Sequence, residues 1–412
     1  MRVLHTSDWH LGNSFHERKR TQEFESFLNW LLELMEKERI DLLLVSGDIF
    51  DNGTPGTQAL ELYFNFLGRI AETGCRHVIV IAGNHDSPSL LNAPREVFRN
   101  LNIHVVGSVT PDPADEIFVL NDESGKPVII VCAVPYLRDR DVRTVAAGES
   151  TGEKAGKLIA GIRDHYGRVQ DLALSRRSAT GGDIPIVVMG HLYATGSSLS
   201  EEDNIRETCV GSLAGVGPDV FRREIDYLAL GHLHRPQCVY GSDNWRYSGA
   251  PLPMEFSDAP QQKQVVIIEF GPGMECVPRG VPVPCFQEME RVRGSFHEIQ
   301  ERVQALIASG RPVWVEAVLD DPVIIPDFQE KLHRMVRGTA VEILVTIDRR
   351  NDRYLLGQES PGETLDELSE QEVFLRCLDA NKVDEREREE LIALFGEILD
   401  EIRISEITGD EK

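Results

Sequence analysis

Five short segments hold side chains that could bind a divalent cation or move a proton. They read Asp8-Trp9-His10, Gly47-Asp48-Ile49-Phe50-Asp51, Gly83-Asn84-His85-Asp86, Gly190-His191 and Gly231-His232-Leu233-His234. Their donors are carboxylate, amide oxygen and imidazole, without thiolate. Such a set suits hard or borderline divalent ions such as Mn2+, Fe2+ or Zn2+ and disfavours a cysteine-type structural zinc site. Asp8, His10, Asp48, Asn84, His191, His232 and His234 are too many ligands for one tetrahedral ion. They suffice for two ions about 3.5–4 Å apart if one carboxylate bridges. Two divalent ions bring more positive charge than Asp8 and Asp48 remove, so the pocket stays cationic and fits a phosphodiester. The ions would acidify a water for attack and stabilise charge on the phosphoryl oxygens.

Each segment follows a short apolar run: Arg2–Thr6, Ile40–Ser46, His77–Ala82, Pro185–Met189 and Ile225–Leu230. Near-continuous apolar runs flanked by Gly, Asp or His are the pattern of strands buried on both faces. Parallel strands end on one edge of a sheet, and ligands gather there. Five loops on one edge of a sheet would therefore collect residues far apart in the chain. Helical stripes separate the first three runs. Thr21–Arg39 carries Phe24, Phe27, Leu28, Leu31 and Met35 on one face, and Gly56–Thr73, after Pro55, carries Leu60, Phe64, Leu67 and Ile70. This alternation implies parallel strands with right-handed crossovers, while Val128–Val134, Val239–Tyr247 and Val265–Phe270 read as hairpin strands.

The expected fold class is α/β: a layered mixed β-sheet core flanked by helices, a small α/β cap domain and a C-terminal helical tail. The expected divisions are 1–280, 281–350 and 361–412. Gly271–Pro284, half Gly or Pro, reads as a hairpin turn running into a linker. In the cap, Ser295 with Glu298 predicts a capped helix to Ser309. Strands are expected at Pro312–Leu319 and Val341–Ile347, with a helix over Pro326–Val336 between them. The tail predicts amphipathic helices over Leu365–Leu378 and Asp384–Ile402, whose apolar stripe either folds back on the cap or docks on a partner helix or coiled coil.

Composition narrows the class. The chain has 412 residues, 41% apolar and 27% charged, ordinary for a globular protein. No apolar run approaches the ~20 residues that span a bilayer, and the first residues lack the apolar stretch of a signal peptide. Seven cysteines form no C-x-x-C pair, which reads as a reducing cytoplasm. The net charge of −25 argues against a protein that passively coats nucleic acid. There is no Gly-x-x-x-x-Gly-Lys-Ser/Thr motif, so the sequence offers no phosphate-binding loop of the ATPase type.

The pieces SDWH, GDIFD, GNHD, GH and GHLH resemble the calcineurin-like metallophosphoesterases. The longer segments HTSDWHLG, VSGDIFD, AGNHDSPS, GHLYATG, LGHLHRPQ and YSGAPLPMEFSD look like a nuclease branch of that family. The first 260 residues carry these motifs; the last 130 match in layout only. The resemblance implies that one metal takes Asp8, His10, Asp48 and His234, and the other Asp48, Asn84, His191 and His232. Asp48 would bridge, and His85 would be the acid that helps the departing oxygen leave. Mn2+ is the implied metal. The implied activity is metal-dependent DNA cleavage, as a double-strand 3'-5' exonuclease and a single-strand or hairpin endonuclease. It would serve DNA repair, recombination and replication. The implied partners are DNA and a coiled-coil ATPase, with a homodimer of this chain inside a heterotetramer. Related nucleases carry a His three residues after the bridging Asp, where this chain has Asp51. Pairing of Asp51 with His85, which would favour the imidazolium, is the alternative expected here.

Arg235, beside His234, and His16, before Glu17-Arg18-Lys19-Arg20, are candidate substrate contacts. Arg138, Arg140 and Arg143 read as a solvated charged loop, and Trp9 as packing beneath the metals. The competing functions are a phosphoesterase acting on nucleotides or other small phosphodiesters, and a non-catalytic scaffold with structural metals.

Overall fold

A computed structural model of the chain describes residues 1–143, 150–181, 184–198, 215–271, 273–321 and 325–348. It also describes Phe374, Leu375, Leu378, Arg388, Leu391, Ile392, Leu394 and Phe395, all helical. The remainder of the expected tail helices lies outside the described residues.

The chain divides into two compact units, Met1–Met289 and Glu290–Lys412. The first begins with β1 (Arg2–Thr6), the small hairpin β2 (Ser14–Phe15) and β3 (Arg18–Lys19), then α1 (Thr21–Glu38), β4 (Leu42–Ser46), α2 (Thr57–Ile70) and β5 (His77–Ile81). Two short helices, α3 (Pro88–Asn92) and α4 (Arg95–Arg99), lead to β6 (Ile103–Val106), β7 (Ile117–Asn121) and β8 (Pro127–Ala133). After α5 (Asp139–Val142) and the long α6 (Thr151–Ala179) come β9 (Ile186–His191), β10 (Tyr227–Gly231), β11 (Gln237–Val239), β12 (Ser242–Tyr247), β13 (Gln264–Phe270) and β14 (Cys276–Pro282).

These strands form two six-stranded sheets, ordered β14-β13-β1-β4-β5-β6 and β11-β12-β10-β9-β8-β7. In the first, β1, β4, β5 and β6 run parallel and β13 and β14 antiparallel. In the second, β12, β10, β9 and β8 run parallel. The alternation of side chains along a strand explains the layering. Val3, Leu42, Leu44, Ile79 and Ile81 face one way and meet Val131, Val187, Met189 and Ala229 of the second sheet. Their neighbours Leu4, Leu43, Val45, Val78 and Val80 face the other way, under Phe24, Phe27 and Leu31 of α1 and Phe66 and Leu67 of α2. The outer face of the second sheet is covered by Ile162, Tyr166, Val169 and Ala173 of α6. The first unit is thus a helix–sheet–sheet–helix stack.

Three expectations need correction. The five site-bearing strands do not share one sheet: β1, β4 and β5 lie in the first, β9 and β10 in the second. An apolar strand buried on both faces looks the same in either sheet. The hairpin turn expected after β13 is present, but where a linker was expected the chain forms β14, paired with β13 from Gln264↔Pro282 to Phe270↔Cys276. As an edge strand it tolerates Pro278 and Pro282. It also keeps residues 281–289 within the first unit.

The second unit begins within β15 (Glu288–Gly294), followed by α7 (Phe296–Ser309), β16 (Val313–Leu319), α8 (Phe328–Val336) and β17 (Val341–Asp348). The sheet order is β15-β16-β17, with β16 and β17 parallel. Ser295 and Glu298 form the expected capping box on α7. Ile299, Val303 and Leu306 of α7 and Leu332 of α8 bury against Val313, Val315 and Ile343.

Candidate metal centre

The loop after β1 runs beside the loop after β4 and continues their parallel ladder. Asp8 N–H donates to Gly47 O (3.0 Å), His10 N–H to Asp48 O (3.0 Å) and Leu11 N–H to Ile49 O (2.9 Å). The loop after β5 joins them through Asp86, a buried carboxylate. It accepts from Gly83 N–H (2.8 Å), Ile49 N–H (3.2 Å) and Phe50 N–H (3.0 Å). The loop after β10 is tied to the first by His232 N–H, which donates to Asp8 Oδ1 (2.9 Å). Ser46 Oγ donates to Ala229 O (3.1 Å) and links the two sheets just below the loops.

Turning the chain this sharply strains it. Asp8 (φ 54°), His10 (φ 49°), Asp48 (φ 49°) and His232 (φ 109°) all lie at positive φ, a conformation that costs a non-glycine residue about 1–3 kcal/mol and clusters at functional sites. Gly83 permits close approach: a Cβ there would lie 2.1 Å from Asp48 Oδ1.

The side chains converge from both sheets. His10 Nε2 and His234 Nε2 are 3.1 Å apart. Asn84 Oδ1 lies 2.9 Å from His191 Nε2 and 3.1 Å from His232 Nδ1. Between these groups, Asp48 Oδ2 sits 3.7 Å from His10 Nε2 and 3.4 Å from His191 Nε2. Two donors sharing an ion at about 2.1 Å sit roughly 3–4.2 Å apart, depending on the angle between them, so the spacing fits cation ligation. Asp8, His10 and His234 form one potential metal-holding group, and Asp8, Asp48 and His191 a second. His191 Nδ1 donates to Ser46 O (2.9 Å), leaving Nε2 as its ligating atom.

The electrostatics point the same way. Burial and the nearby charge of Asp48 push Asp8 up to about 7, against the pull of His191, Ser7 and the His232 N–H. Burial and Asp48 likewise raise Asp86 to about 6, against the three main-chain N–H groups it accepts from. Asp48 is itself buried, but His191, His10 and His85 outweigh that and hold its carboxyl well below the usual range. Burial disfavours the His191 cation, yet Asp48 and Asp8 raise it to about 9. Crowded carboxylates that repel one another and draw protons onto imidazole form a site that a divalent cation relieves.

His85 stands beside His10, with ring centroids 5.0 Å apart. Its Nδ1 donates to the main-chain carbonyl of Asp51 (2.7 Å). The Asp51 carboxylate accepts from Asn13 Nδ2 (2.9 Å) and lies 3.5 Å from His10 Nδ1. His85 thus hydrogen-bonds the backbone of Asp51. Trp9 is fully buried against Phe27 and Phe66. Arg143 pairs with Asp139 (2.5 Å). Arg235 is exposed beside His234, and His16 stacks on Phe256 at 5.7 Å; the described contacts do not tie either to the ligand cluster. Sequence reasoning missed Asp86, although GNHD contains it. It also missed Ser7 and Ser248, whose hydroxyls are 2.7 Å apart, with Ser7 Oγ donating to Asp8 Oδ2 (2.5 Å).

Comparison with known proteins gives the family. The calcineurin-like phosphoesterase family matches residues 1–236, and a family described as "Type 5 capsule protein repressor C-terminal domain" matches 285–382. The SbcD subunit of the SbcCD nuclease of Escherichia coli (strain K12) is 35% identical over 399 residues, covering 96% of this chain and 97% of that protein. The same-named proteins of Rhodobacter capsulatus and Bacillus subtilis are 33% and 32% identical, covering 69% and 67% of this chain and 69% and 68% of theirs. Divalent metal ions are the cofactor class of such enzymes, and the clustered donors suit them. The chain belongs to the calcineurin-like phosphoesterases, in the family of SbcD nuclease subunits.

Proposed function

We propose that this metal-dependent phosphodiester hydrolase cuts DNA ends and hairpins as the nuclease subunit of a complex with an SbcC-type coiled-coil ATPase. The observation that carries the reading is the donor spacing: Asp48 sits within 3.7 Å of imidazoles from two different sheets. Two divalent ions, Mn2+ for preference, would supply Lewis acidity and an acidified water. Asp8, His10 and His234 would hold one and Asn84, His191 and His232 the other, with Asp48 shared. His85 donates through Nδ1 to a carbonyl, which can only accept. A proton on Nε2 is therefore the one His85 can release, to the departing oxygen. In this reading Asp51 serves in two ways: its carbonyl orients His85 and its carboxylate steadies His10. Arg235 and His16 would meet the DNA backbone at the mouth of the site.

The small-phosphodiester alternative is not favoured, because a relative matching 96% of the chain is named as a nuclease subunit. The roles proposed beyond the core are DNA contact for the cap and ATPase docking for the acidic tail. A homodimer belongs to the same proposal. Its support is the exposure of large apolar side chains on and beside α2 and α4: Phe64 is 40% exposed, Val97 65% and Leu101, just after α4, 55%. A cytoplasmic location is proposed with it; no described helix is long and apolar enough to cross a membrane.

The test is degradation of linear duplex DNA by the full chain with and without the ATPase, in Mn2+ and after chelation. Mn2+-dependent shortening that Asp48→Asn abolishes supports the reading. Cleavage that persists without metal, or in Asp48→Asn, overturns it.

A further inference from the structure

The segment YSGAPLPMEFSD, residues 247–258, stands out in the sequence but takes no part in the ligand set. Its surroundings are unusual. Lys263 is only 5% exposed, and its ammonium meets Asp258 Oδ2 at 2.9 Å, a carboxylate that is 0% exposed. The same ammonium donates to the main-chain carbonyl of His234 (3.2 Å). That carbonyl also accepts from Ala250 N–H (3.1 Å). Gly249 lets the segment come this close: it lies at φ 76°, and a Cβ on it would fall 2.7 Å from Pro236 Cδ and 2.8 Å from His234 O. Asp258 Oδ2 in turn accepts from Met254 N–H (3.0 Å), so the carboxylate folds the segment back onto Lys263.

A buried ammonium is costly unless fully paired, and a hydrophobic pair is often no less stable. Stability alone is thus a poor reason for a charge here. Position is a better one. The His234 ring faces His10 across 3.1 Å on one side of its loop, while Lys263 and Ala250 grip the same residue's carbonyl from behind. The segment also reaches Asp8, because Ser248 Oγ contacts Ser7 Oγ (2.7 Å), which donates to Asp8 Oδ2 (2.5 Å). His234 belongs only to the potential metal-holding group of Asp8, His10 and His234, whereas Asp8 is shared with the second group, so the grip on the His234 carbonyl is the contact that singles out one site. His191, in the other group, is held from elsewhere, by Ser46 O.

We infer that Lys263, locked by Asp258, is a positioning residue that clamps the backbone of His234 and so sets the affinity of one of the two cation sites, the one built by Asp8, His10 and His234. The inference rests on the ligand assignment proposed above. Groups that orient a metal ligand change affinity by about 10- to 100-fold when removed, and here the change falls on one ion.

The test is a Mn2+ titration of the full chain followed by electron paramagnetic resonance, with thermal unfolding alongside. Lys263→Met leaves Asp258 buried and unpaired and is expected to lower the unfolding temperature. Lys263→Met combined with Asp258→Asn removes both charges, keeps an acceptor for Met254 N–H and is expected to recover most of it. The double variant should bind one Mn2+ as the wild type does and the other about 10-fold more weakly or worse. If it binds both ions as the wild type does, or weakens both equally, Lys263 is a structural pair and the inference fails. Asp48→Asn is measured in parallel: if it still binds two ions normally, the ligand assignment itself is wrong, whatever Lys263 does.

Discussion

His85 shows how far one side chain can be argued from its partners. Its sequence position, just after a candidate ligand, allowed metal ligation, acid catalysis or neither. The hydrogen bond from Nδ1 to the Asp51 carbonyl fixes one proton and leaves Nε2 for exchange. His85→Ala should therefore cut the turnover of duplex DNA by about 100-fold or more, the usual worth of a placed acid. Mn2+ binding, followed by electron paramagnetic resonance, should remain within a few-fold of wild type; unchanged turnover would remove His85 from the reaction. The ligand types were legible because metal chemistry restricts which side chains serve. Asp86 was not, since a carboxylate that pins three main-chain N–H groups has the same residue type as one that binds metal.

At the scale of elements, legibility followed periodicity. The apolar spacing of α1 and α2 predicted both helices close to their observed bounds, but the buried face of α2 is Ala59, Tyr63, Phe66, Leu67 and Ile70, one position round from the expected Leu60 and Phe64. Helix α6 was not read, because its buried face is confined to Ile162, Tyr166, Val169 and Ala173 in 29 otherwise polar-rich residues. It is held to the second sheet by a buried polar link as well as by packing. His165 Nε2 meets Glu116 Oε2 at 2.8 Å, and Glu116 Oε1 accepts from Thr110 N–H (2.9 Å) and Thr110 Oγ1 (3.0 Å). Glu116→Ala takes this acceptor from the buried His165 and from Thr110 N–H, while Thr110 Oγ1 keeps the Asp112 carbonyl (2.8 Å). It should cost about 3 kcal/mol of stability, as for other broken buried pairs, read as a shift in the urea midpoint. A midpoint equal to wild type would show that packing alone seats α6.

At the scale of the whole molecule, two histidines held neutral, the buried His5 and the partly buried His104, each work against folding in acid. Burial, with Arg246 nearby, lowers His5 to about 3. Burial, then His77 and Arg99, lowers His104 to about 4. Unfolded, both take up a proton near pH ~6.5. Below that pH the unfolded chain protonates these two rings while the folded chain refuses, so their contribution to stability is full above pH ~6.5 and is lost as the pH drops toward about 4 and then about 3. The raised carboxyls of Asp8 and Asp86 act the other way over the same range, so the contribution is read by difference: His5→Gln should raise the urea midpoint at pH 5 relative to that at pH 7.5, compared with the wild type, and an identical pH dependence in the variant would remove His5 from the effect. The exposed apolar side chains predict that Val97→Glu with Leu101→Glu halves the mass seen by light scattering; a mass unchanged by the substitutions places the dimer contact elsewhere. Deleting residues 361–412 should leave Mn2+-dependent cleavage by the isolated chain intact and abolish co-purification with the ATPase. Phe374 and Phe395 of that region stack with ring centroids 4.0 Å apart, and insolubility of the truncated chain would instead mean that the tail completes its own fold.

The amino-acid sequence by itself determined the donor types, the five strand-ending motifs that carry them and the alternation that makes the core α/β, because each depends on residue chemistry or on local periodicity. Only the tertiary structure decided that the motifs come from two stacked sheets, that β14 completes the first sheet where prolines had read as a linker, and that Asp86, Ser7 and Lys263 brace the site from behind. Those facts depend on contacts between segments far apart in the chain, and no local pattern of apolar and polar residues records which distant backbone a buried charge will meet.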